Sequence, residues 1–183
     1  MIDTRIATLL LGAWIGGSVF MDVVATQNFR SVDRTLASPP APVAESIQAM
    51  GGRDAARTFL RYQASEQNRQ YFNAWENTQI VLALLLIGAL IPADQRGRVT
   101  LLLPTLMLVT ILAMHYWLTP EIVRMGRAMD FPSPGRAAVD NTRFWIFHGT
   151  YSALELIKLG WGVALAVWLV LPRKQRIKDV KVA

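Results

Sequence analysis

The sequence predicts an all-α integral membrane protein, a four-transmembrane-helix bundle with a long helical loop between spans 1 and 2. Three observations lead there. Apolar stretches cover residues 6–28, 72–91, 99–118 and 144–171, and a helix needs about 20 mostly apolar residues to cross the roughly 30 Å hydrocarbon core. The middles of the second and third stretches carry almost no charge. The chain has 183 residues, 52% of them hydrophobic, so the spans use about half of it and leave one transmembrane domain, 1–183, with no room for a separate soluble enzyme.

The first span begins after Arg5 and continues through Val24, interrupted only by Asp22. A cleaved signal peptide is not expected, because no Ala-x-Ala site follows a short apolar core. Gly12-x-x-x-Gly16, with Gly17 and Ser18, is expected to permit close helix packing. Ser38-Pro39-Pro40-Ala41-Pro42 then reads as a stiff, extended breaker and Gly51-Gly52 as a hinge. From Arg53 to Tyr71 the pattern is helical: Ala56, Phe59, Leu60 and Ala64 share one face, and Arg53, Arg57 and Arg61 another. With no breaker before Trp75, this helix should run straight into the second span and project beyond the bilayer; a helix lying flat in the interface is the competing reading.

A turn over Pro92 to Arg98 leads to the third span. At Thr119-Pro120-Glu121, Pro120 either ends that span or opens the next helix. Phe131-Pro132-Ser133-Pro134-Gly135 is a loop, and Asp140 to Arg143 lead into a fourth span long enough to tilt or project. The tail 172–183 is basic.

The formal charge of +6 looks like a nucleic-acid signal until it is located. Arg173, Lys174, Arg176, Lys178 and Lys181 face Asp179 alone directly after a span, which points to a membrane surface and away from nucleic acid. Four spans put both termini on one side. That side holds eight Lys/Arg in short segments, whereas ten are spread over the two longer loops opposite. The positive-inside rule makes the termini cytoplasmic in a multi-pass protein of the cell membrane. Cysteine is absent, which removes disulfides, thiolate metal sites and Cys nucleophiles. No nucleotide or nucleophile motif occurs, so no enzymatic activity is expected.

Function must be carried by polar groups inside the spans, where each charge is costly without a partner or a wet cavity. Asp22, Glu76 with Asn77 and Gln79, His115, His148, Glu155 and Lys158 are such groups. His148, Ser152 and Glu155 share a stripe, flanked by Tyr151 and Lys158; Phe72, Glu76, Gln79 and Ala83 form another. If both stripes face inward, they line a polar pocket open away from the termini and closed toward them by Leu84, Leu85, Leu86 and the Leu/Val-rich parts of the other helices. It would bind or pass a small solute, a proton or a metal ion. The blander reading makes Glu155 and Lys158 an i, i+3 ion pair and leaves Glu76 solvated, with Asp22 capping or paired to Arg30 or Arg143. His115, His148 and Glu76 are the metal candidates, and the two histidines suit haem b, or a site near quinone, in a redox alternative. No cofactor is the main expectation. Trp75, Tyr116, Trp117, Phe144 and Trp145 read as an interfacial aromatic belt. Besides the lipid bilayer, the partner classes are a second copy of the chain or another membrane protein, for which this chain would be a structural or accessory subunit.

At Gly12-Ala13-Trp14, Trp117-Leu118-Thr119-Pro120 and Phe147-His148-Gly149 with Ser152, the chain resembles the transmembrane protein 205-like family, a four-span group that overlaps a bacterial domain of unknown function. The resemblance follows the order of the spans over most of the chain. It implies a four-helix membrane protein, and the family's link in animals to platinum-drug tolerance implies transport or trafficking. The family's aromatic-His-Gly element corresponds to Phe147, His148 and Gly149.

Overall fold

The computed structural model describes residues 2–91, 99–130 and 141–171. Among these, every regular element is a helix: α1 (Ile2–Ala37), α2 (Ala41–Ala49), α3 (Arg53–Leu90), α4 (Val99–Ala113), a π turn (Met114–Leu118), α5 (Thr119–Asp130) and α6 (Thr142–Val170). Four helical stretches, Arg5–Ala37, Arg53–Leu90, Thr100–Asp130 and Thr142–Val170, are long and apolar enough to cross a membrane.

The breaks in the chain follow the local chemistry. Gly51 and Gly52 take φ of 96° and 100°, a left-handed conformation that side chains resist, and so reverse the chain between α2 and α3. The proline-rich breaker is shorter than expected. Only 38–40 lie outside helix, because Ala41 and Pro42 enter the first turn of α2, where a missing N–H is harmless. α1 likewise runs on to Ala37. The expected helix from Arg53 is continuous with the second apolar stretch through Leu90, and Pro120 does not end the third. A proline there frees the Tyr116 carbonyl and crowds it, and the wider turn over Met114–Leu118 absorbs the clash so that helix resumes at Thr119. The turn 92–98, the loop 131–135 and the basic tail lie outside the described residues.

Helix directions alternate, as the order of packed layers shows. One layer joins Ala7 and Leu11 to Leu86, Leu90, Leu165 and Leu169, the start of α1 against the ends of α3 and α6. Trp14, Ala83, Met107 and Trp161 form the next, and Ile111, Met114, Leu118, Ile80 and Tyr151 the one after. The last layer sits at the far end of α1, where Val32 and Leu36 pack with Ile47 of α2 and with Ala56 and Ala64 of α3. At 36 and 38 residues, α1 and α3 are about 54 and 57 Å long at 1.5 Å per residue, far more than a hydrocarbon core needs. Asp33 meets Arg57 at 3.3 Å and Arg61 at 3.5 Å along this extension, and of the apolar set read as one face Ala56 and Ala64 are buried while Phe59 is 52% exposed.

α1 packs on α3 and α6, and α4 packs on the same two. Helices α3 and α6 are therefore diagonal neighbours, and only long side chains can join them.

Candidate functional site

Two polar knots occupy that diagonal. Glu76 of α3 is fully buried and accepts three hydrogen bonds, from His115 Nδ1 at 2.9 Å, Thr119 Oγ1 at 2.5 Å and Tyr151 OH at 3.0 Å. A carboxylate only accepts, so the tautomer carrying the proton on Nδ1 satisfies the contact. The π turn places His115 and α5 begins with Thr119, so the irregularity before Pro120 brings both donors to one carboxylate. One turn further along α3, Lys158 Nζ of α6 donates to Gln79 Oε1 at 2.6 Å and Glu155 Oε1 at 2.8 Å. Lys158 and Gln79 are fully buried; the Glu155 side chain keeps 17% exposure. The Gln79 amide is oriented by the ammonium, which leaves Gln79 Nε2 buried without a partner among the described residues.

Beside these knots lies a cavity of about 560 Å³. Its polar wall includes Asp22, Asn68, Arg69, His148, Ser152 and Glu155, and its apolar wall Phe29, Phe72, Ile122, Phe144, Leu156 and Leu159. Three seams around it are sealed. Between α1 and α3, Asn28 donates to Asn68 at 2.6 Å, Asn68 donates to the Ala25 carbonyl at 3.1 Å, and the Trp75 indole fills the space a side chain at Gly17 would need. Between α3 and α5, Arg69 bonds Asp130 at 2.6 Å, and Arg127 reaches both oxygens of Glu66 at 2.9 and 3.0 Å. Between α5 and α6, the Phe144 ring lies against Gly126. The remaining seam, α1 to α6, is closed at its lower end where Ile15 meets Gly162. Above that point Asp22, Thr26, His148, Ser152 and Leu156 both line the cavity and are exposed. The mouth is there.

Of the residues singled out in the sequence, Asp22, His148, Tyr151, Ser152 and Glu155 line this cavity. Glu76, Gln79, His115 and Lys158 sit behind its wall and reach it through Tyr151 and Glu155. Glu76 is bonded on all sides rather than solvated, the Glu155–Lys158 pair is present, and Asp22 has no ion-pair partner among the described residues, neither Arg30 nor Arg143. The histidines are not brought together: His115 is committed to Glu76, whereas His148 stacks on Phe144 at 5.7 Å between ring centres and meets Trp145 edge-on at 5.9 Å. Among the described residues no group of three or more His, Asp or Glu is placed to hold a metal ion.

Several expectations are corrected. Leu84 and Leu85 are 56% and 54% exposed and close nothing; of that trio only Leu86 is buried. Gly12 and Gly16 face open space, and it is Gly17 that meets a neighbour, the side chain of Trp75 and not a helix backbone. Trp75 thereby leaves the expected belt, while Tyr116, Trp117 and Trp145 stay exposed. Asn68 and the Glu66–Arg69–Arg127–Asp130 cluster were not singled out, and Thr119 was named only within Thr119-Pro120-Glu121 and the Trp117-Leu118-Thr119-Pro120 motif, not as a partner of Glu76. The cluster's sequence signals are Glu66-x-x-Arg69 and Arg127-x-x-Asp130, each at i, i+3, and the pairing between the two helices leaves no local trace.

Against known proteins, the chain matches no family model, no curated protein and no solved structure.

Proposed function

We propose that this is a multi-pass protein of the cell membrane, a four-helix bundle with cytoplasmic termini that binds or passes a small solute in the cavity beside Glu155 and Tyr151. The observation that carries this reading is the cavity itself, about 560 Å³, within the 300–1,000 Å³ usual for small-molecule sites and lined by a few polar groups among apolar ones. Orientation rests on the density of Lys/Arg in the short segments and the tail. The likeness of Phe147-His148-Gly149 and Ser152 to the transmembrane protein 205-like family agrees with it, since His148 and Ser152 stand at the mouth.

The natural absence of cysteine makes the test direct. In reconstituted protein, Ser152→Cys is expected to react with a small charged thiosulfonate added from outside, and Gly88→Cys, on the exposed face of the apolar end of α3, is not. A Ser152→Cys variant as inert as Gly88→Cys would overturn the pocket.

A further inference from the structure

We infer that the ligand of this cavity is an amphiphilic organic cation, admitted sideways between α1 and α6, with its charge held at Asp22 and its apolar body against the phenylalanine wall. This rests on the pocket reading above and narrows it to a class.

The charge balance of the wall comes first. Arg69 is neutralised by Glu66 and Asp130, each at 2.6 Å, and Glu155 by Lys158 at 2.8 Å. Asp22 alone has no ionic partner among the described residues, and it stands at the mouth. Among the described residues the cavity wall therefore carries one uncompensated negative charge, in a setting where an unpaired charge is costly and a bound cation offsets it. Anionic ligands would meet repulsion at this mouth.

Wall chemistry and volume then separate the possible cations. An inorganic ion wants several oxygen ligands, and among the described residues Asp22 belongs to no group of three or more His, Asp or Glu placed to hold one. A space of about 560 Å³ is far larger than such an ion needs. Phe29, Phe72 and Phe144 line it, which suits an apolar body and offers aromatic side chains to a weakly hydrated cationic head. Lateral entry follows from the seams: polar bonds or packed rings close three of them, and the open one has Leu156 and Thr26 at its edge.

Tetraphenylphosphonium and tetraphenylborate have nearly the same shape and opposite charge, so they isolate the charge term. Binding to the full-length protein in lipid nanodiscs, corrected with empty nanodiscs, is expected to favour the cation at least tenfold, and Asp22→Asn should remove that preference. Ser152→Trp, which fills the mouth, should abolish binding of the cation. Equal affinity for the two ions, or a preference unchanged by Asp22→Asn, would overturn the inference; should Asp22→Asn not fold, the wild-type ratio and Ser152→Trp decide it. If Ser152→Cys still reacts while the ions are not discriminated, the ligand class falls and the pocket stands. If it does not react, both fall.

Discussion

Glu76 and Lys158 are both fully buried on the diagonal between α3 and α6, and they are held in opposite ways. Glu76 is met by three donors from the π turn, α5 and α6, so its support is spread over three hydrogen bonds. Lys158 is met by one carboxylate and one amide, so its charge is cancelled by a single partner. The difference teaches where each knot is vulnerable. A carboxylate with three donors loses only part of its support when one is removed, whereas an ammonium with one anion loses nearly all of its compensation. The anion in question, Glu155, is also the member that reaches the cavity.

The largest effect is therefore expected at Glu155. Glu155→Leu strands a fully buried ammonium and should cost about 3–5 kcal/mol, the range for breaking a buried pair from one side. Lys158→Met should cost less, because Glu155 keeps 17% exposure and can take up water from the cavity. The double variant should recover most of the loss. Melting temperatures in detergent for the two single variants and the double check this. Additive losses would show that the pair is not coupled, and equal single losses would show that Glu155 gains nothing from the cavity.

The second comparison is within the Glu76 knot. Tyr151→Phe removes one donor and leaves two, and should cost about 1.5–3 kcal/mol as a hydrogen bond to a charged acceptor. Thr119→Val should cost less, since Thr119 begins α5 at the cavity wall and its loss lets water replace it. A larger loss for Thr119→Val than for Tyr151→Phe would show that the start of α5, and not the diagonal to α6, is what Glu76 secures.

The two knots also mark how far the sequence was legible. Glu155 and Lys158 share one helix at i, i+3, a spacing that puts them in contact whatever the surroundings, and the structure has them at 2.8 Å. Glu76, Gln79 and Ala83 were readable as one face of α3 because an amphipathic stripe in an apolar helix has to face inward. The partners Thr119, Asn68 and Asp130 were not readable, because they depend on how far one helix slides past another, and periodicity within a helix does not encode that. Leu84 and Leu85 misled for a different reason. The run of leucines hid a phase that the helix does carry: the stripe Glu76, Gln79, Ala83 continues three residues on to Leu86 and passes over Leu84 and Leu85, so Leu86 inward and Leu84 outward follow from it. α2 was hidden by Pro42, which breaks a helix interior but is tolerated in a first turn.

The smallest effect is expected at the clamp between α3 and α5, and it sharpens the contrast between buried and surface charge. Arg69 bonds Glu66 and Asp130 with side chains only 15–21% exposed, while Arg127, on the outer side of Glu66, is 59% exposed. Arg127→Gln should therefore cost under about 1 kcal/mol, and the loss should fade in high salt, as for exposed pairs. Asp130→Asn should cost somewhat more and respond less to salt, because the Arg69 guanidinium is half enclosed against Gly126, where ions in solution reach it poorly. The measurement is the melting temperature of both variants at low and high sodium chloride. A salt response as strong for Asp130→Asn as for Arg127→Gln would mean that the clamp is solvated throughout, and that α5 is held over the cavity by Ile122 and the Phe144–Gly126 packing instead.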